Sequence, residues 1–144
     1  MTEKNYKNPP ECQKAFDLAI ALSELTLKLA MTDYIPVAAT PQLVYNRDPQ
    51  QIVLDIATGL GRAAVAQDYL RFMTIAQGTA FRLETRLLLD AERNYLERAE
   101  VEAALKLCGE LGEMLSSKIE TLSARERTLR LNRQIRPINF QPEE

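Results

Sequence analysis

The sequence contains no histidine and only two cysteines, Cys12 and Cys108, which most of the chain separates. A zinc site or a nucleophile–base pair needs such residues at particular spacings, and a disulfide framework needs more cysteines. No apolar run approaches the roughly 18 residues that a membrane helix needs, and the N-terminus lacks a basic and apolar leader. We therefore expect a cytoplasmic, non-enzymatic protein with reduced thiols and no metal, cofactor, membrane contact or small-molecule substrate.

The 144 residues include 18 lysines and arginines against 20 acids, a net charge of −2. This length suits one domain, and we expect a bundle over residues 10–131 between a polar tail of residues 1–9 and a C-terminal tail of residues 132–144. A slightly acidic chain cannot coat nucleic acid by its overall charge, so any such contact would need a local cluster of cations.

A long helix is predicted from Arg62 to Glu92, because this stretch has no proline and a single glycine. It would be about 45 Å long at 1.5 Å per residue. Apolar residues at helical spacing predict one core-facing stripe, formed by Val65, Tyr69, Phe72, Ala76, Ala80, Leu83 and Leu87. A second apolar strip lies beside it, at Ala66, Leu70, Phe81 and Leu88. So wide an apolar surface indicates a central helix of a bundle, a subunit interface, or both.

Two shorter helices are predicted to precede it. The segments 8–11 and 48–51 each combine a capping side chain with proline, which is typical of a helix start. We therefore expect Asn8 to cap a first helix that ends near Met31, and Asp48 to cap a second helix over residues 48–58. The prolines between them predict a long connection over residues 32–48. Gly59 and Gly61 would supply left-handed backbone for the turn that follows.

A fourth helix is predicted from Glu97 to about Leu131. Its core seam repeats at steps of four and three residues, at Val101, Leu105, Cys108, Gly112, Leu115, Ile119 and Leu122. Gly109 and Gly112 weaken a helix, which indicates the close approach of another helix. The expected fold is an all-α, antiparallel up-down four-helix bundle that assembles into a ring-like homo-oligomer. The expected interface consists of exposed apolar residues on the two long helices, namely Leu70, Phe81, Leu88, Leu107, Leu111 and Met114.

Two groups of arginines are candidates for binding nucleic acid. The first lies on one face of the third helix and comprises Arg71, Arg82, Arg86 and Arg93. The second gives residues 125–136 a charge of +4 from five arginines and one glutamate, and comprises Arg125, Arg127, Arg130, Arg133 and Arg136. Either group could contact phosphates. The alternative for the first is salt bridging, with Asp68 to Arg71 and Asp90 to Arg86. For the second it is a cationic helix end in solvent.

Two segments of the sequence resemble a known family. They are DIATGLGR (residues 55–62) and DYLRFMTIAQGTAFRLETRLLL (residues 68–89). They resemble the small four-helix bundle proteins encoded in intervening sequences of bacterial large-subunit ribosomal RNA genes. The resemblance extends over about residues 10–122. The matching positions are Ile56, Ala57, Gly59, Gly61, Arg62, Arg71, Phe72, Ile75, Ala76, Gly78, Leu83, Glu84, Thr85, Leu87, Tyr95 and Leu96.

The sequence also departs from the family pattern. Thr58 replaces a usual glutamate, and Arg82 and Arg86 replace a glutamate and a glutamine. The family usually has a longer second helix, where this chain has prolines. A related branch comprises the accessory variability proteins of diversity-generating retroelements, which are pentameric bundles that bind a reverse transcriptase and nucleic acid.

Two functions are therefore expected as alternatives. The first is a homo-oligomeric scaffold, most simply a pentamer, that binds RNA or DNA and a reverse transcriptase as a retroelement accessory protein. The second is a structural or regulatory oligomer of the ribosomal intervening-sequence type, with a protein partner and no nucleic acid. The resemblance itself does not distinguish them.

Overall fold

The computed structural model describes residues 9–31 and 39–135, and within them the side chains of residues 9–27 and 45–134. It contains four helices, α1 (Pro10–Met31), α2 (Ala39–Gly61), α3 (Ala66–Glu92) and α4 (Arg98–Ile135). Over these residues there is no strand, and each helix packs on two others: α1 and α3 both contact α2 and α4. The all-α, four-helix architecture predicted from the sequence is confirmed.

The core lies along the centre of the bundle, and every helix contributes to it. Leu18 and Leu22 of α1 meet Ile52 and Ile56 of α2 in one buried cluster. The contributions of α3 and α4 include Met73, Leu83, Leu87, Leu111 and Leu115, all with no exposed surface. Burial of such side chains contributes about 1.5–3 kcal/mol each, so this cluster is the main source of stability.

The predicted stripe on α3 is largely correct. Tyr69, Ala76, Ala80, Leu83 and Leu87 are all buried. Val65 is instead 54% exposed, because residues 62–65 form a turn and α3 begins only at Ala66. Phe72 is half-buried, and Met73 takes the core position beside it. On α4 the predicted seam holds as well, with Leu105 and Ile119 half-buried at its edges.

Cys108 is confirmed as a small core residue, and both cysteines are buried free thiols. Burial, assisted by the nearby Glu84 carboxylate, raises the pKa of Cys108 to about 12. Burial likewise raises the pKa of Cys12. Both groups are therefore protonated and unreactive at neutral pH.

The predicted start of the second helix is wrong. Asp48 does not cap a helix, because α2 already begins at Ala39 and carries Pro49 in its interior. The connection predicted over residues 32–48 therefore ends at least ten residues earlier, by residue 38. Proline cannot donate the backbone hydrogen bond to the residue four before it, here Tyr45, and this weakens the helix. Residues 32–38 and the predicted cap Asn8 lie outside the described residues.

The glycines before the α2–α3 turn also differ from the prediction. No described glycine has positive φ, and both Gly59 and Gly61 are helical residues at the end of α2. Gly59 instead permits close packing, because an added Cβ would lie 2.8 Å from Met73 Cε and 3.1 Å from Phe72 Cβ. The left-handed residue is Asn94, at φ 60° in the α3–α4 turn, and asparagine tolerates that conformation.

We predict that Gly59→Ala lowers the free energy of unfolding by about 1–2 kcal/mol, because the new methyl group must displace α3 side chains. Gly61→Ala is the matched control, since a Cβ there meets nothing within 4 Å. It should be neutral or stabilising by up to about 1 kcal/mol. Urea denaturation measures both, and equal effects would contradict the close approach at Gly59.

Asp55 interrupts the apolar side of α2 and is buried, 6% exposed. Gln51 Nε2 donates a hydrogen bond of 3.0 Å to Asp55 Oδ1, while Oδ2 has no partner among the described residues. Burial raises the pKa of Asp55, and the Gln51 hydrogen bond offsets part of that rise. The folded state therefore binds this proton more tightly than the unfolded state does, so the ionised carboxylate destabilises the fold.

We predict that Asp55→Asn stabilises the protein at pH 7 by about 1 kcal/mol, because it removes a buried charge with an unpaired oxygen. The Gln51 bond can persist to the amide oxygen. The gain should shrink as the pH falls through the raised pKa of Asp55 toward the ordinary Asp value of 3.8, because the folded-state carboxylate becomes neutral over this range. Thermal midpoints measured from pH 7 to pH 4 test this, and a variant less stable than the wild type at pH 7 would contradict it.

Candidate functional site

Arg82 of α3 is held by a buried carboxylate of α2. Its Nε and Nη2 nitrogens each lie 3.2 Å from an oxygen of Asp48, and Arg47 Nε lies 3.3 Å from the same carboxylate. Asp48 is 1% exposed, whereas the Arg82 side chain is 62% exposed. Two guanidinium groups thus share one carboxylate, which leaves a local excess of positive charge at the surface between α2 and α3.

Arg86, one turn further along α3, also pairs with a buried carboxylate, here that of Asp90 on α3 itself. Its Nε donates to Asp90 Oδ2 at 3.2 Å, and the Tyr45 hydroxyl of α2 donates to the same oxygen. Asp90 is fully buried, and its Oδ1 has no partner among the described residues. Burial and the hydrogen bond to Asp90 raise the pKa of Tyr45, so the phenol remains a donor. This cluster fixes the part of α2 before Pro49 onto α3.

The other two arginines of α3 have different surroundings. The Arg71 guanidinium lies 5.1 Å from the centroid of the Phe72 ring. Asp68, the predicted partner of Arg71, pairs instead with Arg62 at 3.5 Å, so that prediction is wrong, whereas the predicted Arg86–Asp90 pair is confirmed. Arg93 is the exposed C-cap residue of α3, where a cation is favourable.

The second group of arginines lies toward the C-terminal end of α4, where Arg125, Arg127, Arg130 and Arg133 are all exposed. The hydrogen bond from Gln67 Nε2 to Glu126 Oε1, at 3.0 Å, joins the two helices near this end. Residues 127–134 beyond it are all exposed. The helix continues to Ile135, four residues beyond its predicted end near Leu131.

Most of these arginines have no acidic partner among the described residues. Arg130 pairs with Glu126 at 3.2 Å, but no described carboxylate pairs with Arg125, Arg127 or Arg133. Arg136 lies outside the described residues. Arg130 and Arg133 also line an open groove of about 370 Å³ beside the α2–α3 turn. Arg71 and Arg93 of α3 are also exposed without a described acidic partner, so the larger group of such arginines is the one on α4.

The residues predicted for an oligomer interface differ in how exposed they are. Phe81 and Leu88 are 50% and 45% exposed, and Leu70 is half-buried. Leu111 is fully buried inside the subunit and cannot reach a second copy, which corrects that prediction. The remaining two, Leu107 and Met114, are half-buried residues on α4. Sequence reasoning missed Ile75 and Leu89, although their spacing of 14 residues, close to four turns, placed both on one face of α3.

A shallow groove lies between α3 and α4 where the helix glycines occur. Its volume is about 410 Å³, and Phe81 and three carboxylates line it, those of Glu84, Glu113 and Glu120. A Cβ on Gly112 would lie 3.7 Å from the Phe81 ring, an ordinary van der Waals distance, so the structure does not require glycine there. A Cβ on Gly109 would meet nothing within 4 Å, so no helix of this subunit accounts for that glycine.

Among the described residues, no group of three acidic or cysteine side chains could hold a metal ion, and no described helix is long and apolar enough to span a membrane. Comparison with protein-family models, curated proteins and solved structures gave no match. Membership of the family that the sequence resembles therefore remains an expectation.

We predict that Tyr45→Phe lowers the free energy of unfolding by about 1–3 kcal/mol, because the buried Asp90 carboxylate loses a hydrogen-bond donor. Tyr69→Phe is the control, since this buried tyrosine of α3 has no hydroxyl hydrogen bond within the described residues. Its cost should stay below about 1 kcal/mol. Denaturant unfolding of both variants measures the difference, and equal costs would show that the Tyr45–Asp90 contact does not hold α2.

Proposed function

We propose that this chain is a non-enzymatic scaffold, a homo-oligomeric four-helix bundle that binds nucleic acid through the arginines of α4. Of the two nucleic acids, we propose RNA rather than DNA. The observation that carries the proposal is the exposed end of α4, where Arg125, Arg127 and Arg133 have no described acidic partner. Their charge is not neutralised within the described subunit, so it is available to phosphates.

The physical basis is local charge rather than net charge. The chain as a whole carries −2, yet the described residues 125–134 carry four arginines and one glutamate. Arginine binds phosphate oxygens through two parallel N–H donors, and each neutralised phosphate releases counterions. The arginines of α3 support the proposal less, because Arg82 and Arg86 already pair with buried carboxylates.

Assembly is the second part of the proposal. Large apolar side chains stand exposed on α3, among them Ile75, Phe81, Leu88 and Leu89. Contact with a second copy would remove these side chains from water, and a repeated subunit would multiply the arginine clusters. The family resemblance favours a pentamer and a role beside a reverse transcriptase. The same exposed side chains favour the alternative function, an oligomer with a protein partner and no nucleic acid.

We predict that Arg125→Gln/Arg127→Gln weakens binding to a structured RNA and reduces the slope of log affinity against log salt by up to about two units. The matched control is Arg98→Gln/Lys106→Gln, which removes two exposed cations from the other end of the same helix. Fluorescence anisotropy titrations at several salt concentrations, with RNA and with duplex DNA, measure the affinity and the slope.

The control separates a local site from a general charge effect. If both double variants weaken binding equally, overall charge explains the affinity and the α4 site is wrong. If neither RNA nor DNA binds the wild type at low salt, the alternative function is favoured. Circular dichroism and sedimentation of each variant must match the wild type before the titrations are compared.

A further inference from the structure

The exposed apolar side chains of α3 form two lines, one toward each neighbouring helix. Phe81 and Leu88 lie on the side of α4, where Phe81 approaches Gly112. Ile75 and Leu89 are 46% and 41% exposed and lie on the side of α2 by helical spacing, with Arg82, which pairs with Asp48 of α2. The α3 helix thus presents two separate apolar surfaces to solvent.

These surfaces differ in the sign of the charges around them. The acidic face consists of Phe81, Glu84, Leu88, Glu113 and Glu120. No cation lines its groove, and the exposed Lys106 lies beyond the groove, seven residues before Glu113 on the same side of α4. The basic face consists of Arg71, Ile75, Arg82 and Leu89. Arg47 adds a second guanidinium at Asp48. Each face carries the charge that the other would attract.

The acids of the acidic face and the arginines of the basic face lie at matching positions along the bundle axis. Gln77 bonds to Ser116 at 2.7 Å, and Phe81 lies opposite Gly112, so antiparallel α3 and α4 are in a fixed register. Continued along both helices, that register puts Glu120 about level with position 73, near Arg71. It puts Glu113 about level with position 80, near Arg82. Two copies side by side in the same orientation would therefore bring opposite charges together.

Some apolar residues correspond in the same arrangement. Leu88 would lie level with Leu89 of the next copy, and Phe81 would lie about one helical turn from Gly78 of the next copy. A Cβ at Gly78 would meet nothing within 4 Å, so this part of the basic face is open to receive a ring. Gly109, which no helix of its own subunit explains, lies in the groove of the acidic face.

We infer that the acidic face of one copy docks on the basic face of a second copy, head to tail. The inference rests on the assembly part of the proposed function and names the surfaces that form the contact. Packing of the acidic face against its own copy would oppose like charges, which disfavours a symmetric dimer through that face. A head-to-tail contact repeats from subunit to subunit and closes into a ring where the rotation allows it.

A charge exchange tests the contact. Glu120→Arg and Arg71→Glu each place like charges together and should weaken assembly at least about tenfold. The double variant Glu120→Arg/Arg71→Glu restores the opposite pairing at every interface and should return to within about threefold of the wild type. Glu24→Arg, at an exposed site on α1, is the matched control and should assemble normally. Sedimentation velocity over a micromolar concentration range measures the masses.

Each alternative outcome has a distinct meaning. Single variants that assemble like the wild type, or a double variant as weak as they are, would overturn the docking arrangement while leaving the oligomer in place. Stronger assembly of Glu120→Arg would indicate that the acidic face pairs with itself, and would also overturn it. A wild type that remains monomeric would reject both the docking and the proposed assembly. Nucleic-acid binding by α4 is judged separately, by the anisotropy titrations.

Discussion

The rest of the structure depends on two buried carboxylates, Asp48 and Asp90, which hold the first half of α2 on α3. Proline inside α2 removes a backbone hydrogen bond, so this half of the helix needs tertiary support. The support comes from arginine pairs and the Tyr45 hydroxyl, which offset the cost of burying the charges. Loss of one partner would leave an uncompensated buried charge, which costs more than the intact pair contributes.

The same pairs decide which arginines remain available. Arg82 and Arg86, which stand where the resembling family has a glutamate and a glutamine, have a structural explanation in this chain because each meets a buried aspartate. The Arg86 charge is matched one to one by Asp90, whereas Arg82 and Arg47 share the single Asp48 carboxylate and leave a net positive charge at the surface. The arginines of α4 have no such role beyond the Arg130–Glu126 pair, and this difference locates the proposed phosphate contacts.

Periodicity predicted the parts of the fold that depend on a repeating apolar pattern. The stripe of Tyr69, Ala76, Leu83 and Leu87 identified α3 because burial on one face imposes helical spacing. The start of α2 could not be found in this way. The sequence of a capping residue followed by proline is the same whether it starts a helix or lies inside one. Here Asp48 lies inside α2, and its stabilising partner Arg82 of α3 is 34 residues further along the chain. The exposed arginine clusters were visible in sequence, but which of them were neutralised depended on such distant contacts.

The proposed assembly and the proposed nucleic-acid binding would be coupled by the orientation of the subunits. If the acidic face of each copy meets the basic face of the next at equal height, all α4 helices point in the same direction. The arginine clusters then lie together at one end of the assembly, where a single nucleic acid strand can contact several of them. Such contacts would raise the effective affinity well above that of one cluster, which would allow a subunit of net charge −2 to bind phosphates. Separation of the subunits should then weaken binding even where every α4 arginine is intact.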